Sequence, residues 1–98
     1  MAKKHKTKFQ LEVINLVKEI RTQKNLSQDD IAFFLNVSRG YIGQIESVNS
    51  PSKYTLDQLN KLALDMKCSP KDFMPLNPTL KNDVVHINQS AKKKKANK

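Results

Sequence analysis

Arg39 and Gln44 stand five residues apart, and Gly40 and Gly43, the only two glycines in the chain, lie between them. An arginine fork can donate to O6 and N7 of guanine together, and a glutamine amide can pair in the same way with N6 and N7 of adenine. The two side chains therefore have the chemistry to read base edges, with two solvated polar residues as the plain alternative. Each glycine costs about 0.8–1 kcal/mol relative to alanine inside a helix. Two such costs in one short segment need a reason: either the backbone approaches bases and thymine methyls closely, or the helix reads little sequence.

Other chemistries find no support. His5 and His86 fall in the tails, away from any cysteine or carboxylate at ligand spacing, and Cys68 is the single cysteine, so neither a metal site nor an internal disulfide is expected. No serine, cysteine or carboxylate pair has a catalytic spacing, and no glycine-rich phosphate loop occurs. The expectation is a protein without a cofactor and without enzymatic activity. No apolar run approaches 18 residues and the basic N-terminus leads into a segment holding Glu12 and Glu19, which predicts a cytoplasmic, nucleoid-associated chain.

The segment that must position Arg39 and Gln44 runs from Ser27 to Ser47 and holds two short helical patterns, each announced by a serine. Ser27, with Asp30 three residues on, caps a helix from Gln28 whose inward residues are Ile31, Ala32 and Leu35, and Asn36 is a natural left-handed stop. Ser38 caps a second helix, about 39–47, with Ile42 and Ile45 inward and Arg39, Gly40, Gly43, Gln44 and Ser47 outward. Helices this short are marginal alone, so both must be pinned by packing. A short pair joined by a tight turn, the second slim and polar outside, suits insertion into the major groove.

In Leu26-Ser27-Gln28, Ile31-Ala32, Leu35, Val37-Ser38, Ile42 and Ile45-Glu46, with Arg21 upstream, the sequence resembles the phage-repressor-like helix-turn-helix family of Xre or Cro type, over about 9–73. The resemblance implies an all-α, five-helix lambda-repressor-like domain and a sequence-selective regulator, a repressor, that binds double-stranded DNA as a homodimer. It also implies base contacts from Arg39, Gly40, Gly43 and Gln44 and a phosphate clamp at Gln28. Further backbone contacts are expected from Ser38, Tyr41, Asn49, Ser52, Lys53, Lys3 and Lys4, with covering of the core as the equal alternative for Tyr41, and a structural ion pair from Arg21 to Glu46. Two departures stand out. Gly40 occupies a position where a reading side chain is common, and Phe33 and Phe34 replace polar residues.

The remaining elements follow from caps and periodicity. Residues 1–6 read as a basic, mobile arm, 7–80 as the domain, and 81–98 as a mostly disordered basic extension. Thr7 with Gln10 opens helix 1, which runs to about Gln23 with Phe9, Val13, Val17 and Ile20 inward. VNSPSKY, 48–54, is a loop. Thr55 with Gln58 opens helix 4, whose inner face is Leu56, Leu59, Leu62, Ala63 and Met66, and Ser69-Pro70 opens a fifth helix that ends before Pro75. No strand pairing is indicated.

The net charge of +9 is carried outside residues 9–80, because eight basic and eight acidic residues balance between Phe9 and Leu80. The tails thus supply attraction to a polyanion and the body supplies specificity. Adjacent Phe33 and Phe34 cannot both point inward on a helix, so at least one is exposed unless the apolar patch at 84–87, a second subunit or a partner protein covers it. That leaves an antitoxin-type autorepressor bound to a toxin, a restriction-system controller, a protein-interaction adaptor with weak or no specific DNA binding, and a tail-driven non-specific binder as alternatives.

Overall fold

Each helix begins where a side-chain oxygen takes over a backbone N–H that has no partner within the helix. The computed structural model describes residues 6–80 and 84–85. Helix α1 (Lys8–Gln23) starts behind Thr7, whose hydroxyl accepts from the Gln10 N–H while the Gln10 side chain accepts from the Thr7 N–H. The same reciprocal box opens α2 (Gln28–Leu35) with Ser27 and Asp30, and α4 (Leu56–Met66) with Thr55 and Gln58. Helix α3 (Arg39–Ile45) starts behind Ser38, whose hydroxyl accepts from the Tyr41 N–H. Asn36 ends α2 in the left-handed region, at φ 58° and ψ 46°, a conformation a short polar side chain tolerates.

Among the described residues four α-helices are present where five were expected. The segment behind Ser69 forms one 3-10 turn, Pro70–Phe73. Its length is set by the proline that follows: Pro75 forces Met74 into an extended conformation, φ −106° and ψ 139°, so the helical path has only four residues. That turn is enough to drive Phe73, fully buried, into the core against α1 and α4.

One core serves the whole fold. Val13, Ile14 and Val17 of α1, Ile31 and Ala32 of α2, Ile42 and Ile45 of α3, and Leu59, Leu62, Ala63 and Met66 of α4 form it together with Tyr54 and Phe73. Helix α2 packs on both α3 and α4, which gives the two shortest helices the support they lack alone. Leu56 does not belong to the core as its periodicity suggested, being 79% exposed. It lies on the first turn of α4, at the edge of the apolar arc. Phe33 and Phe34 divide as expected: Phe34 is half-buried against the core, and Phe33, 82% exposed, meets it edge to face at 6.5 Å.

Lys6, expected at the end of a mobile arm, stands instead in a strand pair that carries no sequence signal. Strand β1 (Lys6–Thr7) pairs antiparallel with β2 (Val84–Val85), Lys6 opposite Val85 and Thr7 opposite Val84, and β1 packs on α1. The backbone of 84–85 is therefore at β1 and not a cover for Phe33. Residues 86 and 87 of that apolar patch lie outside the described residues.

The two leucines at the start of α4 make a direct test of this packing. Leu59→Ala is expected to cost about 2–5 kcal/mol, as for a filled core position, and Leu56→Ala no more than about 0.5 kcal/mol. Chemical denaturation of both variants measures the difference, and equal losses would contradict the exposure of Leu56.

Candidate nucleic-acid interface

Ile42 and Ile45, both fully buried, mark the inward side of α3, and the opposite side faces away from the core. At about 100° per residue, Arg39, Gly43, Gly40 and Gln44 fall in that order across an arc of roughly 140°. The two long polar side chains mark its edges and the two glycines its middle. The face is a bare strip of backbone between two reaching groups.

The glycines are not demanded by the protein's own packing. A Cβ at Gly40 would meet nothing nearer than the Ser38 hydroxyl at 3.9 Å, and one at Gly43 the Gln28 Oε1 at 3.7 Å, both ordinary contacts. Neither glycine has a positive φ. Their cost to the helix is thus unexplained by the fold.

Both edge groups are exposed and lightly held. Arg39 Nε lies 3.7 Å from Asp29 Oδ1 with both side chains largely in solvent, an arrangement worth little energy. The Gln44 amide is oriented by the Ser52 hydroxyl, which donates to Oε1 at 3.4 Å and leaves the second lone pair and both N–H donors available. Ser52 is itself set by a small network: the Ser52 N–H donates to the Ser50 hydroxyl at 3.2 Å, and the Asn49 N–H to the Ser47 hydroxyl at 3.1 Å. Asn49 and Lys53 are exposed on the same loop as Ser52. Ser38 is exposed at the start of α3, and Tyr41 is half-buried against the core. Lys3 and Lys4 lie outside the described residues.

A buried ionic network holds α3 to the rest. Arg21 Nε and Nη2 donate to the two oxygens of Glu46 at 2.8 and 2.9 Å, and Nη1 donates to the Leu26 carbonyl at 2.9 Å. The pair is nearly enclosed, with side chains 13% and 4% exposed. Gln28 joins it, donating from Nε2 to Glu46 Oε1 at 2.9 Å. This amide was expected to clamp a phosphate; one of its donors is instead committed to binding α2 to the end of α3. Burial opposes ionisation of Glu46, but the hydrogen bonds from Arg21 and Gln28 and the charge of Arg21 outweigh it, so its pKa lies below the ordinary 4.5. The hydrogen bond to Glu46 raises the pKa of Arg21 against the effect of burial.

Two residues of this region carry no sequence signal. Lys6 reads as one lysine in a basic run, yet it is 1% exposed and its ammonium donates to the carbonyls of Gln44, Ser47 and Ser50. Tyr54 reads as a loop residue but is buried, its hydroxyl without a hydrogen-bond partner among the described residues; burial first, then Glu46, raises its pKa.

The Glu46 carboxylate contributes stability that is present above its unfolded pKa and lost as pH falls through the depressed folded value. Glu46→Ala, which leaves the Arg21 charge buried alone, is expected to lower stability by about 3 kcal/mol at neutral pH. The gap to the wild type should narrow below the ordinary 4.5 as the wild-type carboxylate takes up its proton. Thermal unfolding of both proteins across that range measures it, and a gap independent of pH would contradict the ionic role.

Comparison with known proteins agrees with this geometry. A family model described as helix-turn-helix matches residues 17–73, more than half of the chain. No curated protein and no solved structure matches. Among the described residues no helix is long and apolar enough to cross a membrane, and no group of three or more His, Cys, Asp or Glu is placed to hold a metal ion. The matched span contains the Arg21–Glu46 pair, α2, the turn at Asn36 and the glycine-bearing α3, and the chain belongs to the Xre/Cro-like helix-turn-helix family of DNA-binding transcription regulators.

Proposed function

We propose that the chain is a sequence-selective repressor that lays α3 in the major groove and binds a two-fold site as a homodimer. The observation that carries this reading is the outer face of α3, where exposed Arg39 and Gln44 flank a strip that Gly40 and Gly43 leave bare. A strip without side chains lets the helix backbone approach base edges and thymine methyls, and the flanking pair supplies discrimination of about 1–3 kcal/mol for each good bidentate contact. Ser38, Tyr41, Asn49, Ser52 and Lys53 border the face and are assigned to phosphates, with Lys3 and Lys4 as further backbone contacts. At Gln28 the phosphate contact falls to the free N–H groups of the first turn of α2, since the side chain serves Glu46. Repression follows from occupancy of the site. Half-sites about one helical turn apart are the geometry a two-fold pair of such helices imposes.

A second reading is favoured by one observation, the 82% exposure of Phe33 on the helix that supports α3. An antitoxin-type autorepressor or an adaptor would use this aromatic against a partner protein. The two readings differ in what the intact chain does with DNA.

Selection of duplexes from a random pool at roughly physiological salt is expected to enrich a two-fold motif. Gln44→Ala should relax one position of each half-site. Gly40→Ala and Gly43→Ala should each raise thermal stability, by about 0.5–1 kcal/mol, and yet weaken binding to the selected site. Enrichment of no motif, or alanines that stabilise without loss of binding, would contradict groove reading by this face.

A further inference from the structure

Lys6 is the one charged residue among the described residues that is buried as a whole, and no carboxylate among them pairs with it. An ammonium has three N–H donors, and three main-chain carbonyls receive them: Gln44 in the last turn of α3, Ser47 just beyond its cap, and Ser50 in the following loop. Carbonyls at a helix end have no partner within the helix, and a cation there also meets the negative end of the helix dipole. A desolvated charge is costly unless its donors are all satisfied, so the site holds lysine only while these carbonyls stay where they are. Burial, and next the charge of Lys53, lowers the pKa of Lys6.

The consequences reach the DNA-facing groups. The Ser47 N–H donates to the Gln44 carbonyl at 3.1 Å and the Ser50 N–H to the Ser47 carbonyl at 3.5 Å, so the oxygens that Lys6 gathers are those that fold the loop back on the helix. Ser50 in turn holds Ser52, and Ser52 orients the Gln44 amide. On its other side Lys6 is part of β1, placed opposite Val85 of β2. A continuous set of contacts thus runs from the C-terminal strand through Lys6 to the exit of the recognition helix.

We infer that Lys6, held by the β1–β2 pairing, is a positioning residue for DNA recognition, fixing the exit of α3 and the Ser47–Lys53 loop in the arrangement that presents Gln44, Asn49, Ser52 and Lys53. This rests on the reading of α3 proposed above. It also separates Lys6 from the other lysines near the N-terminus: its ammonium is turned inward onto main-chain carbonyls and is not free to touch a phosphate. Lys8, exposed two residues on, is the natural comparison, because Lys8→Met removes the same charge without touching the carbonyls.

The test uses the full chain in four forms: wild type, Lys6→Met, Lys8→Met, and Val84→Pro with Val85→Pro, which removes the strand N–H donors and keeps every lysine. In the DNA-free proteins, Lys6→Met and the double proline variant are expected to speed amide hydrogen exchange at Ser47 and Ser50 well beyond any change at Val17 and Leu62. On duplexes, both should cut the preference for the selected site over a scrambled one about tenfold, the scale of one recognition contact. Lys8→Met should weaken binding to both duplexes alike and leave the preference unchanged. Equal behaviour of Lys6→Met and Lys8→Met, or exchange at Ser47 and Ser50 unmoved by Lys6→Met, would overturn the role of Lys6. A double proline variant that matches wild type would overturn the role of β2. Should Lys6→Met fail to fold, the double proline variant still decides, because its protection from exchange in the loop and its site preference must fall together. A wild-type chain that prefers no duplex would contradict the proposed function instead, while the exchange rates judge the contact itself.

Discussion

The structure depends on one buried charge pair. Arg21 on α1 and Glu46 at the end of α3 meet through two hydrogen bonds, Arg21 reaches the Leu26 carbonyl before α2, and Gln28 at the start of α2 completes the set. Three helices are therefore referenced to a single carboxylate. Apolar packing alone sets the distance between helices, but it is non-directional and does not fix rotation closely. The hydrogen-bond geometry around Glu46 does so at the point where α3 leaves the core, and that rotation decides which residues face outward. A seven-residue helix that would not persist alone is held at both ends, by the Ser38 cap at one and by Glu46 and the Lys6 ammonium at the other.

Rigid placement gives meaning to the glycines. A flexible helix with two glycines would be a weak element; a helix pinned by Ile42, Ile45 and Glu46 can carry them at modest cost and offer its backbone to a groove. Charge placement complements this arrangement. The body between Phe9 and Leu80 is formally neutral; in the proposed reading its polar face discriminates among bases without a strong general affinity for phosphate, and the lysines beyond it supply that affinity. Lys6 is the exception, a member of the basic run that has been recruited as a structural cation.

Much of this was legible because its causes are local. Ser27 with Asp30, Thr7 with Gln10, and Thr55 with Gln58 each place donor and acceptor within one helical turn, so the sequence spacing is the geometry. Asn36 is readable for the same reason. The Arg21–Glu46 pair became readable through resemblance to the family, not from spacing. What escaped is non-local or set by an edge. Lys6 finds its carbonyls 38 to 44 residues away, and nothing in a run of lysines marks the one that turns inward. Strands of two residues have no periodicity, so β1 and β2 left no pattern to read. Leu56 follows the α4 stripe but lies at the edge of its arc and stays exposed, and the fifth helix was curtailed by a proline whose effect on the preceding residue outweighs the Ser69 cap.

The central claim is that the bare strip of α3 is the surface that enters DNA. Amide chemical-shift mapping of the full chain, titrated with its selected duplex and separately with a scrambled one, tests it most directly. The account predicts that the selected duplex shifts the Gly40 and Gly43 amides most, with Arg39, Gln44 and the loop at Asn49 and Ser52 beside them, and that the scrambled duplex moves mainly the lysine-rich ends. Identical maps for the two duplexes, with Gly40 and Gly43 unmoved, would contradict it.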